Sequence, residues 1–461
     1  MLLEIFCLYL DSDRFDDDQE WLPAQVADDE WHTLVHVCCK WRRLMFACPR
    51  RLKLRLLCTD ARPVRNKLNV WPELPIVISA IITKPRRQGT NNIIYTLKRH
   101  DRVHKIHIRH PPNSLLKKMA EMNMPFPALA HLELTSEDED PAVLPKSFLG
   151  GSAPRLRRIW LRGISFPQLG KLLSSTRDLV TLSLSAIPRS GYISPDAIVT
   201  CISTLTRLKY LTLQFRFPRS RTERANRYRP PPARVDLPSL TRFRFTGNSE
   251  YLEDTVSRIK TPRLFYLEIS VFNQLVFNTP QLGRFIGLTE EFGALHEATA
   301  LFSRDEVQVR VSDRKGMEML VVKISCQPLE WQLPSLTQVY TSSLSPLLTL
   351  EHLCIGEPPH QSPQLQDDIP ENAQWLEFLH QFTFVKDLQL SKHLVPLIGP
   401  ALGELTRERA TQVLPALQNI YMEPEDPLMG LVEKPIDQFI ASRRHSGCPI
   451  TVHQQEMYWT R

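Results

Sequence analysis

Four histidines recur around one short segment of the sequence, at positions 100, 104, 107 and 110. Imidazole is a common protein ligand for transition metals, so this recurrence raises the question of a metal site. The surrounding segment, 103–108, is predicted to be an alternating strand, and residues three apart on a strand point to opposite faces. His104 and His107 are therefore not expected to share an ion, and we interpret the histidines as solvated surface residues.

Other patterns that would indicate catalysis are missing from the sequence. It contains no glycine-rich phosphate loop, no G-x-S-x-G, no H-E-x-x-H and no zinc-type spacing of Cys and His. The nine cysteines include no C-x-x-C pair, which is typical of reduced thiols inside a cell. We therefore expect a protein that is not an enzyme, with no catalytic residue, no metal and no cofactor.

Composition narrows the class further. Hydrophobic residues make up 42% and charged residues 23%, which indicates a folded, soluble chain. The net charge of +7 is small for 461 residues, so it does not indicate a nucleic-acid partner. No stretch approaches the ~18 apolar residues of a membrane span, and the apolar start lacks a basic leader region. These observations predict a cytoplasmic or nuclear protein.

A second pattern, L-x-x-L-x-L with aliphatic or aromatic substitutes, dominates the sequence from about residue 100. Successive copies start 23 to 32 residues apart in a first group and 32 to 35 apart in a later one. One short strand per 20–35 residues, with helices between, is the signature of leucine-rich repeats. The copies lie at 103–108, 129–134, 156–161, 179–184, 208–213, 240–245, 264–269, 350–355, 385–390 and 417–422, with a weaker one ending at 452.

The repeats should be irregular. The asparagine usual at position 9 occurs only as Asn248, and the array breaks between 275 and 348. Alternating apolar residues around Asp313–Gly316 predict a β-hairpin at about 305–325. Seven arginines and three consecutive prolines mark 216–234 as a basic, disordered insertion. The alternatives for that insertion are an acidic partner, nucleic acid or a nuclear-import signal.

The N-terminal region has a different pattern. Apolar residues at helical spacing predict one helix over 2–10, and a second amphipathic helix runs from Trp31 to Met45 and ends at Pro49. An acidic stretch, 11–30, separates them. Two helices of this size bury too little surface to be stable alone, so they need a partner or packing against the next segment of the chain.

These helices carry a family resemblance. Leu3-Glu4-Ile5-Phe6-x-Leu8 and Leu34-x-x-Val37-Cys38-x-x-Trp41-Arg42-x-Leu44 resemble the F-box. Pro49-Arg50-Arg51-Leu52-x-Leu54 and Trp71-Pro72-x-Leu74-Pro75 look like fungal F-box proteins with degenerate leucine-rich repeats. The chain begins at the equivalent of mid-helix, so either the motif is truncated or the true start lies upstream. The expected organisation is an F-box over 1–58, a connecting segment over 59–100 and an α/β solenoid of parallel strands with return helices over 101–461.

The resemblance implies the substrate receptor of an SCF-type ubiquitin ligase, bound to a Skp-type adaptor and through it to a cullin. The residues expected to bind the adaptor are Leu3, Ile5, Phe6, Leu34, Val37, Cys38, Trp41 and Leu44. Outward strand positions would bind a substrate protein, since Tyr, Trp and Arg are enriched at binding hot spots. These positions are Arg158, Trp160, Tyr210, Arg242, Arg244 and Tyr266. The alternative is a repeat scaffold that binds proteins without any link to a ligase.

Overall fold

The computed structural model describes residues 2–10, 31–49, 51–61, 64–83, 87–138, 143–217, 234–272, 279–326, 329–342, 350–358, 371–405, 407–423 and 433–455. The chain forms two compact units, Met1–Leu208 and Lys209–Arg461, and each is described by itself. The acidic stretch 11–30 and most of the basic insertion, 218–233, lie outside the described residues. Among the described helices, none is long and apolar enough to cross a membrane.

The first unit begins with helices α1 (Leu2–Leu10), α2 (Trp31–Val37) and α3 (Cys39–Ala47). The prediction of one continuous helix from Trp31 to Met45 was wrong, because the chain leaves helical geometry at Cys38 (φ −160°, ψ 166°). The thiol of Cys38 accepts a hydrogen bond from the Trp41 amide and so caps α3. Apolar spacing alone did not reveal this break, since it continues through Cys38 into the next helix.

Six described strands of the first unit form a parallel sheet in chain order. They are β1 (Leu56–Cys58), β2 (Ile76–Ile81), β3 (Val103–Arg109), β4 (His131–Thr135), β5 (Arg158–Arg162) and β6 (Thr181–Ile187). The connecting α-helices are α4 (Val64–Val70), α5 (Arg87–Leu97), α6 (Asn113–Ala120), α7 (Gly170–Ser174) and α8 (Pro195–Ile202). This is the strand-and-return-helix architecture that the repeat pattern predicts.

The parallel sheet starts earlier than predicted. Segment 59–100 was expected to be a connector, yet β1 pairs with β2 and β2 pairs with β3, all in parallel. The strand β2 is apolar nearly throughout, so it lacks the L-x-x-L-x-L spacing that identified the later strands. A segment with continuous apolar residues cannot be assigned by periodicity alone.

The repeat leucines form the core. On β4, Leu132 and Leu134 are buried and His131 and Glu133 are partly exposed, as the predicted alternation requires. Leu129, the first leucine of the same copy, is also buried. The return helix α8 begins at Pro195, where a missing amide costs no helical hydrogen bond. At α8 the hydroxyl of Ser194 also accepts from the Ala197 amide.

Ten described strands of the second unit form a mixed sheet in the order β7-β9-β11-β14-β13-β12-β15-β16-β17-β18. They are β7 (Tyr210–Phe215), β9 (Arg242–Gly247), β11 (Tyr266–Val271), β12 (Leu295–Phe302), β13 (Glu306–Asp313), β14 (Glu318–Ser325), β15 (His352–Gly356), β16 (Asp387–Leu390), β17 (Asn419–Met422) and β18 (Thr451–Gln454). Two short strands, β8 (Val235–Asp236) and β10 (Ile259–Lys260), pair separately. The described α-helices are α9 (Ser249–Val256), α10 (Pro280–Gly287), α11 (Leu329–Ser342), α12 (Asn372–Leu379), α13 (Val395–Gly403) and α14 (Glu433–His445).

The predicted hairpin is confirmed, but it does not interrupt the sheet. β13 and β14 pair antiparallel around a turn in which Gly316 has φ +74° and Asp313 Oδ1 accepts the amides of Lys315 and Met317. β13 also pairs antiparallel with β12, a strand that the sequence pattern did not predict. β14 lies parallel to β11 and β12 lies parallel to β15, so among these described strands only β13 is reversed.

Candidate functional site

The N-terminal helices expose part of their apolar surface. Ile5 is 50% exposed and Val37 is 59% exposed, and Leu8 and Tyr9 on α1 are also exposed. Two other residues of the predicted adaptor set, Phe6 and Leu34, are buried. The set is therefore divided: some members form the interior of the helical region, and others present apolar atoms to solvent.

Two of the remaining residues of the set, Trp41 and Cys38, lie where the helices meet. The rings of Phe6 and Trp41 meet edge to face with centroids 4.8 Å apart, which packs α1 on α3. Leu3, Trp41 and Leu44 are partly exposed, and Cys38 is exposed at the break between α2 and α3. Because the break separates Leu34 from Trp41, these two side chains do not share one helix face.

An aromatic cluster joins these helices to the start of the parallel sheet. Trp31 contacts Phe46 and Trp71 edge to face, and the imidazole of His32 stacks on Trp71 at 4.9 Å. The indole Nε1 of Trp31 donates to the carbonyl of Arg55 at 3.0 Å. The small helical region is thus stabilised by packing on the start of the sheet. The apolar atoms that stay exposed lie on α1 and at the end of α2.

In the first unit, the predicted outward residues Arg158 and Trp160 are partly exposed on β5. Trp160 lies in register between Glu133 on β4 and Ser183 on β6. On β3, His107 Nε2 lies 3.0 Å from Glu133 Oε1. The interpretation of His107 as a solvated residue was wrong. Its side chain is buried, because the Glu133 carboxylate and the neighbouring strands cover it. His104 makes a different contact, with the carbonyl of Ala128.

The other four predicted outward residues lie in the second unit. Tyr210, Arg242 and Tyr266 are in register across β7, β9 and β11. The guanidinium of Arg242 lies 5.7 Å from the centre of the Tyr266 ring, and that of Arg244 lies 5.6 Å from it. Two cations therefore lie against one aromatic ring. Each such cation–π contact contributes roughly 0.5–2 kcal/mol.

Glu268 connects these side chains into one network, which we call the Glu268 network (Arg244, Tyr266, Glu268 and Lys323). Oε2 of Glu268 accepts from the Tyr266 hydroxyl at 3.0 Å and lies 3.1 Å from Arg244 Nε. Oε1 accepts from Lys323 Nζ at 2.9 Å. Among the described residues, this network and the neighbouring Arg242 contribute three cations, and Glu268 contributes a carboxylate between them.

Burial and charge act in opposite directions on this network. Burial alone would raise the pKa of Glu268, but the hydrogen bond and charge of Lys323, with Tyr266 and Arg244, outweigh it and lower that pKa. Burial, together with the neighbouring Glu268 carboxylate, raises the pKa of Tyr266 to about 12. Glu268 is therefore a carboxylate and Tyr266 a neutral hydrogen-bond donor at neutral pH.

A groove of about 590 Å³ lies in the same unit, lined by Arg263, Phe265, Glu291, Asp313, Met317 and Met319. Its lining mixes apolar side chains with both signs of charge. The carboxylate of Asp313 is held by two amides of the hairpin turn. The groove is therefore a surface of mixed apolar and charged character beside the hairpin.

One polar group was not anticipated from the sequence. His296, Glu351 and His352 each offer a possible metal-ligand atom, and these atoms lie within 4.8 Å of one another. Burial and the neighbouring His352 lower the pKa of His296, and Glu351 opposes this. More than fifty residues separate His296 from the other two, so no local spacing signals the group.

No family model matches this chain, and the comparison with curated proteins gives no match. A solved structure with partial similarity is the leucine-rich repeat-containing protein LegL7 from Legionella pneumophila. It is 13% identical, and the match covers 75% of this chain and 97% of that one with a TM-score of 0.26. A similarity at this TM-score carries no argument, and the repeat architecture follows from the strand pairing within each unit.

Proposed function

We propose that this chain is a non-catalytic substrate receptor whose N-terminal helices bind the Skp-type adaptor of an SCF-type ubiquitin ligase. The repeat units would hold a substrate protein, and ubiquitin transfer would take place on other subunits, in the cytoplasm, the nucleus or both. The observation that carries the proposal is the exposed apolar surface of α1 and α2 at Ile5, Leu8, Tyr9 and Val37. Exposed apolar residues on a helix with a packed opposite side are typical of a docking face.

The test replaces the exposed apolar residues and leaves the interior intact. Ile5→Asp and Val37→Asp should each weaken adaptor binding roughly 30-fold, because the charge would be buried in an apolar interface. Affinity for purified adaptor, measured by calorimetry on the full chain, checks this. Leu288→Asp is the matched control, since Leu288 is 62% exposed but lies in the second unit.

Buried residues provide a second comparison. Phe6→Ala and Leu34→Ala should lower the melting temperature, because both side chains are part of the helical interior. Ile5→Asp and Val37→Asp should leave it nearly unchanged. Wild-type adaptor affinity in both aspartate variants would eliminate this face as the docking surface.

The substrate surface proposed in the second unit is the row formed by Tyr210, Arg242 and Tyr266, together with the Glu268 network. The side chains of Arg242, Arg244 and Lys323 suit an acidic segment of a substrate protein, with the Tyr266 ring as an apolar anchor. Arg242→Ala should weaken substrate capture without changing adaptor affinity. Lys171→Ala, on α7 in the first unit, should change neither. If Arg242→Ala captures the substrate protein as well as wild type does, this row is not the recognition surface.

A second candidate function is a protein-binding scaffold without a ligase link. It is favoured by the burial of Phe6 and Leu34, two residues of the expected adaptor set, inside the helical region. In that case the full chain would capture its partner protein but show no measurable affinity for the adaptor. Calorimetric titration with purified adaptor distinguishes the two candidates.

A further inference from the structure

The backbone of the second unit brings His296 and His352 together on neighbouring parallel strands. β12 pairs with β15 with Glu297 opposite His352, and the amide of Glu351 donates to the carbonyl of His296 at 3.1 Å. The two imidazole rings lie edge to face with centroids 4.5 Å apart. Their proximity is therefore determined by strand pairing, which restricts both side chains to adjacent positions.

A β-bulge-like irregularity of β12 occurs at His296. In the antiparallel pairing of β12 with β13, the register shifts between Leu295 and Glu297, so His296 is an extra residue relative to β13. Bulges of this kind change the direction of a side chain and recur next to functional sites. The bulge occurs on the strand that the repeat pattern did not predict.

His352 is oriented by a carboxylate, as ligand histidines commonly are. Its Nδ1 lies 2.9 Å from Asp387 Oδ2, and Oδ1 of Asp387 accepts from the side-chain amide of Asn419 at 2.7 Å. A carboxylate that accepts from Nδ1–H fixes the tautomer and leaves Nε2 with its lone pair available for an ion. Asp387 is thus a positioning residue for His352.

From these contacts we propose that His296, Glu351 and His352 bind one divalent transition-metal ion, with Zn²⁺ as the fitting probe. Two imidazoles and a carboxylate form a known catalytic-type zinc set, in which a water or a partner's side chain fills the fourth position. Zinc bonds of ~2.0–2.2 Å place tetrahedral ligands about 3.4 Å apart, so ligand atoms within 4.8 Å need only small side-chain rotations. The site is independent of the proposed ligase role.

Lys386 is the main competitor for this ion. Its Nζ lies 3.1 Å from Glu351 Oε1. A carboxylate has two oxygens and several lone pairs, so Glu351 can keep this ion pair and still offer an oxygen to the metal. The positive charge nevertheless opposes a cation, and Lys386→Gln should tighten zinc binding several-fold.

The experiment uses the full chain, stripped of metal with a chelator, and titrates it with Zn²⁺. We expect one ion per chain and a rise of roughly 2–5 °C in melting temperature, which Mg²⁺ should not reproduce. His296→Ala and His352→Ala should each weaken binding at least about tenfold. His380→Ala is the matched control, because His380 is exposed in the same unit and lies outside the cluster.

Two further measurements keep the result decisive. Exposed thiols at Cys38, Cys39 and Cys448 can bind zinc, so the titration is repeated after alkylation, and Co²⁺ spectra report whether thiolates are ligands. The site is supported if wild type still binds one zinc ion after alkylation and both histidine variants lose it. The metal-free variants should then melt at the same temperature as metal-free wild type. The metal site is rejected if zinc does not raise the melting temperature of wild type, or if zinc binding survives both substitutions. The three residues would then form only a hydrogen-bonded polar cluster.

Discussion

The two units keep their sheets continuous in different ways. In the first unit the six described strands are parallel and adjacent in chain order, so each repeat needs only its neighbours. In the second unit the chain passes from β11 to β12 across two strand positions, which β13 and β14 then fill. A repeat pattern therefore predicts where strands form better than it predicts which strands become neighbours.

The polar interactions differ accordingly. In the first unit the outward residue Trp160 lies in register with Glu133 and a small serine, Ser183. In the second unit, Glu268 on β11 contacts cations from β9 and β14, the two strands on either side of it. An outward carboxylate thus pairs with one neighbouring strand in the first unit, Glu133 with His107 and Arg109 of β3. In the second unit Glu268 pairs with two neighbouring strands, β9 and β14.

The largest expected effect comes from matched core substitutions. Leu161→Ala on β5 and Leu320→Ala on β14 both remove a buried leucine and should each cost about 2–5 kcal/mol. Hydrogen exchange should increase around the substituted strand and remain near wild type in the other unit, because repeat stability is dominated by nearest neighbours. Uniformly faster exchange in both variants would mean that the two units unfold together.

A somewhat smaller effect is expected at Arg443 in α14. This side chain is 1% exposed and donates to the carbonyls of Ala410, Pro415 and Leu417. Arg443→Met should cost about 3 kcal/mol by leaving buried acceptors unpaired, as measured by denaturant unfolding. Arg444→Met, at the exposed neighbouring position, should stay within about 0.5 kcal/mol of wild type. Similar values for both variants would contradict the role of these contacts.

The smallest effect should depend on pH. The pKa of Glu268 is lowered in the folded chain, so its charge contributes stability above the unfolded pKa of about 4.3, and the contribution is lost as pH falls through the folded value. Glu268→Gln should cost about 1–2 kcal/mol at pH 7, and the difference should close as the pH falls below the lowered folded pKa of Glu268. Glu291→Gln, at an exposed carboxylate, serves as the control. A constant difference across this range would refute the charge-based explanation.

Several parts of the fold could be predicted because their cause is local. Ten of the described strands, β3 to β7, β9, β11 and β15 to β17, each overlap a copy of the repeat pattern. In the copy Leu129–Leu134, for example, alternation determines which side chains are buried. The hairpin at Asp313–Gly316 was predictable for the same reason, since a glycine with positive φ and an aspartate that accepts turn amides are turn chemistry. The strand β12 was missed, because Leu295–Phe302 does not follow the repeat spacing.

The candidate sites were less predictable. The sequence identified apolar residues on the N-terminal helices, but which of them face solvent depends on the break at Cys38 and on the packing of Phe6 against Trp41. The outward positions Arg242, Arg244 and Tyr266 followed from alternation. Their connection through Glu268 to Lys323 could not be predicted from alternation, because β14 pairs with β11 only as a result of the hairpin.

Local sequence is sufficient for the α/β repeat architecture, the inward leucines and the hairpin, because strand periodicity and turn chemistry act over a few residues. It is not sufficient for the position of β13 and β14 between β11 and β12, or for the meeting of His296 with His352. These outcomes depend on strand pairing between segments far apart in the chain, where many registers have similar local propensity. Burial of the apolar faces in the folded chain selects among those registers, and no local pattern records that choice.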